Sequence, residues 1–295
     1  MNRNTKYIIG ILWFILSLVI SNLNDTIAKH TGTTMHPMQI AFLRFFFGTL
    51  SLLPFMLFYG RSAFITQRPA VHIARGTILF FAITIWIIGL NIVPIATATL
   101  LTFTIPMFVL IMARIFLKEK VTIQLWLATL LGFLGAFIVL EPSTLQLNPL
   151  ALLMLVSSGM FATLDILNKK FVIKESMLSM LFYSALVTTL LSIIPAYVYW
   201  QTPEIPDLIL LFILGAGSNF ILYCLLKAFA NVDASAVAPY RYLELVLSGL
   251  VGYTLFREVP GMYMLAGTLI IIPTTLYIGY EQLRLKAQPV KGDKR

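Results

Sequence analysis

Ten apolar stretches of about 20 residues, separated by short polar or breaker-rich links, run through this chain of 295 residues. As a helix, a stretch of that length crosses a hydrocarbon core of ~30 Å. The stretches read as 7–27, 38–59, 72–92, 95–117, 122–141, 149–167, 177–200, 207–229, 234–256 and 262–281. Their links carry His36-Pro37, Arg68-Pro69, Asn91 to Pro94, Glu141-Pro142, Asn148-Pro149, Pro203 to Pro206 and Pro260-Gly261. Helices are the expected form, because open strands leave backbone groups unsatisfied in lipid. Composition agrees. Hydrophobic residues make up 59% and charged residues 11%, against roughly 45–50% and 25% in soluble domains. That leaves too little polar surface to coat a soluble globule. The expectation is an all-α integral membrane protein with ten transmembrane helices and the lipid bilayer as its surroundings.

The first stretch follows Arg3 and Lys6, as a signal peptide would. Its apolar run is too long for one, and Asn22, Asn24 and Asp25 stand where a small-residue cleavage site would. It reads as a retained span.

The net charge of +9 would suggest a nucleic-acid partner in a soluble protein. Here its distribution matters more. With the N-terminus inside, 15 basic residues fall on the cytoplasmic side: Arg3, Lys6, Arg61, Arg68, Lys118, Lys120, Lys169, Lys170, Lys174, Lys227 and five after Tyr280. Only Lys29 and Arg257 fall outside. The bias places both termini in the cytoplasm of a bacterial inner membrane protein. The excess is an orientation signal, and no nucleic-acid partner is expected.

Catalytic machinery is not in evidence. The single Cys224 excludes an internal disulfide, and His30, His36 and His72 form no ligand spacing. Phosphate-binding loops and metalloprotease motifs are missing, so neither enzyme activity nor a cofactor is expected. Nothing in the sequence specifies an oligomeric state.

The chain also resembles itself. Residues 24–29 (Asn-Asp-Thr-Ile-Ala-Lys) align with 164–169 (Leu-Asp-Ile-Leu-Asn-Lys) at an offset of 140. Residues 93–98 align with 232–237, and Phe116-Leu117-Lys118-Glu119 with Leu255-Phe256-Arg257-Glu258, at an offset of 139. Five spans per copy is an odd number, so the second copy enters the membrane from the opposite side. The chain thus reads as a five-helix repeat at 1–142, a second at 143–283 and a basic tail at 284–295. Inverted repeats let secondary transporters open one site to each side in turn.

Ionisable residues inside spans mark the candidate site, because each costs about 2.5–3.5 kcal/mol at a helix centre. Glu244 lies about 15 Å into the ninth span. It shares a face with Arg241 (i,i+3) and Tyr240 (i,i+4). This group reads either as substrate contact, suited to a zwitterion with a ring, or as an internal pair that braces the helix. Asp25 and Asp165 are equivalent in the two repeats and fall near opposite membrane faces, as gating or coupling groups or as helix-end residues. Arg44, about 9 Å into the second span, joins them, either on a partner such as Asp25 or Glu244 or at the interface. Trp86, Phe103, Phe220 and Tyr223 are candidates for stacking on an aromatic or cationic ligand. Asn219 and a threonine cluster (Thr97, Thr99, Thr102 and Thr104) add polar groups, which also serve helix packing. Pro106 and Pro239 interrupt their spans.

Together these features resemble the drug/metabolite transporter superfamily in its ten-helix EamA-type branch. The resemblance covers residues 7–281, with Lys118-Glu119 and Arg257-Glu258 as its repeat marks. Three stretches, Asp165 to Ser184, Val232 to Leu245 and Ile270 to Thr275, are similar to the S-adenosylmethionine uptake transporters of obligate intracellular bacteria. That resemblance implies import of S-adenosylmethionine in exchange for S-adenosylhomocysteine. Within it, Glu244 is expected to face the cationic groups, Arg241 the carboxylate, and Tyr240 with neighbouring aromatics the adenine or sulfonium. An exporter of amino acids or other amphipathic metabolites is the alternative. Coupling stays open between strict exchange and a proton carried by Asp25, Asp165 or Glu244.

Overall fold

A computed structural model describes residues 3–31, 35–90, 92–141, 151–257 and 259–287. Asn91, Pro142, Asn148, Pro149, Glu258 and the basic residues after Ala287 lie outside the described residues, as do the side chains of Lys29 and His30. Every regular element among the described residues is helical.

The chain enters through α1 (Arg3–Thr31), which continues the apolar run through its charged ends. Helix α2 (Pro37–Tyr59) begins on a proline, with the His36 ring accepting the Met38 N–H at 3.2 Å. A proline in the first turn forfeits no helical hydrogen bond. A single turn, α3 (Arg61–Phe64), links to α4 (Pro69–Leu90). The fourth expected span is divided into α5 (Ile95–Thr102), α6 (Ile105–Met112) and a π turn at Ala113–Leu117. Next come α7 (Ile123–Val139), α8 (Leu152–Phe171), α9 (Met177–Val198) and α10 (Ile205–Asn231). The ninth span is divided again: α11 (Ala234–Val237), a 3₁₀ stretch at Ala238–Tyr242, then α12 (Leu243–Phe256). Helix α13 (Met262–Ala287) closes the described chain.

Eight helical segments among the described residues are long and apolar enough to cross a membrane. The α7 segment has the composition but only 17 residues. The divided fourth stretch still counts, as Ala96–Leu117; the ninth does not, and its longest piece, α12, has 14 residues. The protein is a multi-pass, all-helical membrane protein. Its outward surface is apolar in keeping with that, carrying Phe58, Ile194, Tyr197 and Leu269 exposed.

Packing follows one pattern twice. Helix α1 lies along α10, and α8 lies along α4. Helix α2 also packs on α10, and α9 on α4; α12 packs on α1, and α6 on α8. The remaining large contacts, α2 with α9 and α7 with α13, join helices that the sequence offset equates. Individual residues repeat the pattern. Thr49 and Thr189, 140 apart, meet hydroxyl to hydroxyl at 3.3 Å. Phe103 and Tyr242, 139 apart, stack with ring centroids 5.8 Å apart. Lys118 (φ 57°) and Arg257 (φ 56°), also 139 apart, each end their span in the left-handed conformation.

Small residues set the closest approaches. A Cβ on Gly215 of α10 would lie 2.5 Å from the Arg44 carbonyl oxygen and 2.6 Å from the Gly48 nitrogen on α2. Backbone faces backbone there, the arrangement that glycine permits between membrane helices.

Candidate functional site

The site is built around the two interruptions. Pro106 in the first turn of α6 has no N–H for the carbonyl of Thr102, and its ring crowds that carbonyl, so the helix yields at Phe103-Thr104. Hydroxyls crowd the neighbouring carbonyl: Ser158 on α8 donates to Leu101 O at 2.9 Å, and the Thr104 hydroxyl donates to the same oxygen. Pro239 does the same to the ninth span, where the backbone tightens to 3₁₀ over Ala238–Tyr242. Irregular backbone at membrane depth is found where it is enclosed by protein or lines a cavity. Arg241 and Glu244 sit at the end of this stretch.

The structure brings five expected residues together there. Arg241 Nη2 donates to Asp165 Oδ2 at 2.7 Å, an ion pair between the break and α8. Glu244 has a different partner: its Oε1 accepts from Ser21 on α1 at 3.3 Å. Glu244 also feels the charges of Asp25 and Arg241. On the other side, Asp25 of α1 and Arg44 of α2 attract each other electrostatically. They form no ion pair within 4 Å. Arg44 instead gives its Nε to Ser218 Oγ at 2.6 Å, where the Asn24 amide also donates at 3.1 Å. Counting at ~1.5 Å per residue, Asp25 and Asp165 each lie about 9 Å from the C-terminal end of their own helix.

The remaining expected residues take separate places. Tyr240 is buried with its hydroxyl 3.1 Å from that of Tyr7. Phe103 is buried under Tyr242, whose hydroxyl donates to the Phe103 carbonyl at 3.2 Å. Asn219 is turned into the α2 contact, its amide donating to Gly48 O at 2.7 Å and Ser51 Oγ at 3.1 Å. Tyr223 is half-buried, edge-on to Trp13 at 5.9 Å, stacked on Phe220 at 6.4 Å and covered by the Lys227 ammonium at 5.3 Å. Trp86 packs elsewhere, against Val93, Ala98, Ala151 and Met154.

Several groups take contacts that the sequence did not suggest for them. Ser21 holds Glu244, yet a lone serine in an apolar run carries no signal. Arg75 is only 1% exposed and donates to Asn168 Oδ1 and Met180 O, both at 3.0 Å. Its position inside a span was the available signal. Glu119 accepts from the N–H groups of Ala234 and Ser235 (3.0 and 2.9 Å) and from the Ser235 hydroxyl (2.7 Å). It thereby caps the first turn of the broken span, where a helix favours negative charge. Lys169 does the converse at the end of α10, donating to Phe229 O and Val232 O at 2.8 Å.

Comparison with known proteins identifies the family. The EamA-like transporter family matches the chain twice, at residues 8–141 and 148–280. The chain is 51% identical over 276 residues to the S-adenosylmethionine uptake transporter of Rickettsia prowazekii (strain Madrid E), covering 94% of each chain. It is 50% identical over 284 residues to the S-adenosylmethionine uptake transporter of Rickettsia bellii (strain RML369-C), covering 96% of this chain and 98% of that one. The riboflavin transporter of Rhizobium johnstonii (strain DSM 114642 / LMG 32736 / 3841) is 29% identical over 97% of this chain and 95% of its own. One solved crystal structure superposes with a TM-score of 0.80 over 96% of this chain and 99% of that one, at 17% identity, so the fold is shared. Matched along nearly its whole length, this multi-pass membrane protein belongs to the EamA-like transporter family.

Proposed function

We propose that this chain imports S-adenosylmethionine, in exchange for S-adenosylhomocysteine, by alternating access around the ninth-span break. The observation that carries the reading is the half-identity, over nearly the full length of both chains, to proteins named for S-adenosylmethionine uptake. The site chemistry supports it. S-adenosylmethionine bears a sulfonium, an ammonium, a carboxylate and an adenine ring. Glu244 takes the cationic groups. The substrate carboxylate competes with Asp165 for Arg241, so that binding loosens the closed pair. The half-buried Tyr223, with Trp13 beside it, offers a ring surface for adenine.

In this reading the ten spans form two inverted five-helix repeats, 1–142 and 143–283, followed by a basic tail. The double family match and the paired helix contacts support that division. Both termini are cytoplasmic in the inner membrane, as the basic residues favour. Asp165 with Arg241 then forms the inner gate, and Asp25 with Arg44 the outer one.

The test is uptake of labelled S-adenosylmethionine by cells making Glu244→Gln at normal membrane levels. The expected result is a fall of at least tenfold. Unchanged uptake removes Glu244 from the site, and failure of the unaltered chain to import the compound overturns the function.

A further inference from the structure

The charges around the ninth-span break do not cancel. Arg241 is held by Asp165 at 2.7 Å. Arg44 is set electrostatically against Asp25. These two couples are neutral, and Glu244 is left over. Its hydrogen bond comes from Ser21, an uncharged donor, at 3.3 Å. The charges it feels are Asp25 of α1, which repels it, and Arg241, which is already engaged. Helix α13, also packed on α12, brings no cation to it among its described side chains. There Arg284 pairs with Glu281 at 3.9 Å, and Tyr263, Tyr277 and Tyr280 are exposed. Among the described side chains, the cluster of Asp25, Asp165, Glu244, Arg44 and Arg241 therefore holds one negative charge in excess. An uncompensated carboxylate at this depth costs several kcal/mol. It crosses the membrane cheaply only with a cation or a proton aboard.

We propose that Glu244 is a shared site for the sulfonium substrate and a proton, so that each S-adenosylmethionine entering is matched by one proton leaving. The inference rests on the transport reading above. S-adenosylmethionine carries two positive charges and one negative, a net +1, and so neutralises ionised Glu244 on the inward leg. When it leaves to the cytoplasm, Glu244 takes a proton from cytoplasmic water and the site turns outward as the neutral acid. That holds whether the site returns empty or with S-adenosylhomocysteine, whose ammonium and carboxylate already cancel. Outside, the carboxyl O–H bond breaks, water takes the proton, and the next sulfonium replaces it. One positive charge moves in and one moves out, so the cycle is electroneutral. Exchange of the two nucleosides without a proton would instead move one positive charge inward per turnover.

The experiment uses the purified full chain in proteoliposomes loaded with S-adenosylhomocysteine. Labelled S-adenosylmethionine is added outside in weak buffer with an impermeant pH dye, and a potassium gradient with valinomycin sets the membrane potential. The expected result is one proton appearing outside per S-adenosylmethionine taken up. The initial rate should change less than twofold when the inside is made negative, and external acid should raise KM by competition at Glu244. Exchange that releases no proton and accelerates several-fold with inside-negative potential overturns the inference and leaves the transport reading standing. No uptake into either the loaded vesicles or empty acid-loaded ones overturns both.

Discussion

Phe103 and Tyr242 meet face to face, rings 26° from parallel and centroids 5.8 Å apart, and each lies at the interruption of its own span. The two residues are separated by the same 139 positions that align residues 93–98 with 232–237 and 116–119 with 255–258. The stack, with the bond from the Tyr242 hydroxyl to the Phe103 carbonyl, fastens one break to the other. Movement at either break is therefore felt at its counterpart.

That coupling is measurable. A double-mutant cycle on Phe103→Ala and Tyr242→Ala, read by reversible unfolding in mixed micelles, is expected to give an interaction energy of about 0.5–1.5 kcal/mol. Tyr242→Phe keeps the ring and should cost only the hydrogen bond, about 1 kcal/mol. Additive losses in the cycle would contradict the contact.

Gly215→Ala is expected to prevent folding. The new methyl would meet main-chain atoms of α2 at 2.5 and 2.6 Å, and main chain cannot swing aside as a side chain can. Size-exclusion chromatography of a fluorescent fusion should show the monodisperse peak lost, whereas Gly159→Ala, where the space is open, should keep it.

The Asp165–Arg241 pair predicts a reciprocal rescue. Asp165→Asn leaves the guanidinium without its carboxylate; because Arg241 is 21% exposed, the cost falls below the roughly 3–5 kcal/mol of breaking a fully buried pair. Both Asp165→Asn and Arg241→Gln are expected to lower transport at least tenfold. The double variant should be less destabilised in thermal melts than the sum of the single ones. Strict additivity would show that the pair does not interact.

Glu119→Gln should weaken the cap on α11, because a charged acceptor for three donors becomes a neutral one. A cap of this kind contributes about 0.5–2 kcal/mol. The expected readout is a lower unfolding midpoint together with faster amide exchange at Ala234 and Ser235. Protection identical to that of the unaltered chain would exclude the capping role.

Orientation has a direct chemical test. Cys224 is fully buried, so the native background is low. Intact cells treated with a membrane-impermeant maleimide should label Thr202→Cys and spare Ser62→Cys, both at exposed positions. The opposite pattern would invert the topology.

Most of the fold was legible because the bilayer imposes a length and a polarity on every span. Pro106 and Pro239 marked the interruptions, since a missing N–H acts locally. The pairings were harder. Spacing along one helix suggested that Arg241 and Glu244 belong together, but Arg241 reaches α8 for Asp165, and Glu244 reaches α1 for Ser21. Which helix lies opposite is settled by packing between distant segments, and a helical face read in isolation carries no trace of it. Asn219 and Tyr240 show the same limit. Each was noticed for its chemistry, and each is engaged by a neighbour, α2 or Tyr7, that only the assembled bundle supplies.

Arg241 has Thr102 as its counterpart at the offset of 139, so the carboxylate of Asp25 has no equivalent cation waiting on its own break. Two identical halves would make the two facings of such a carrier equal in free energy. One ion pair worth about 3 kcal/mol on a single side would tilt the resting population by roughly two orders of magnitude. A preference for one vestibule over the other can thus be written into a duplicated chain by one unmatched arginine.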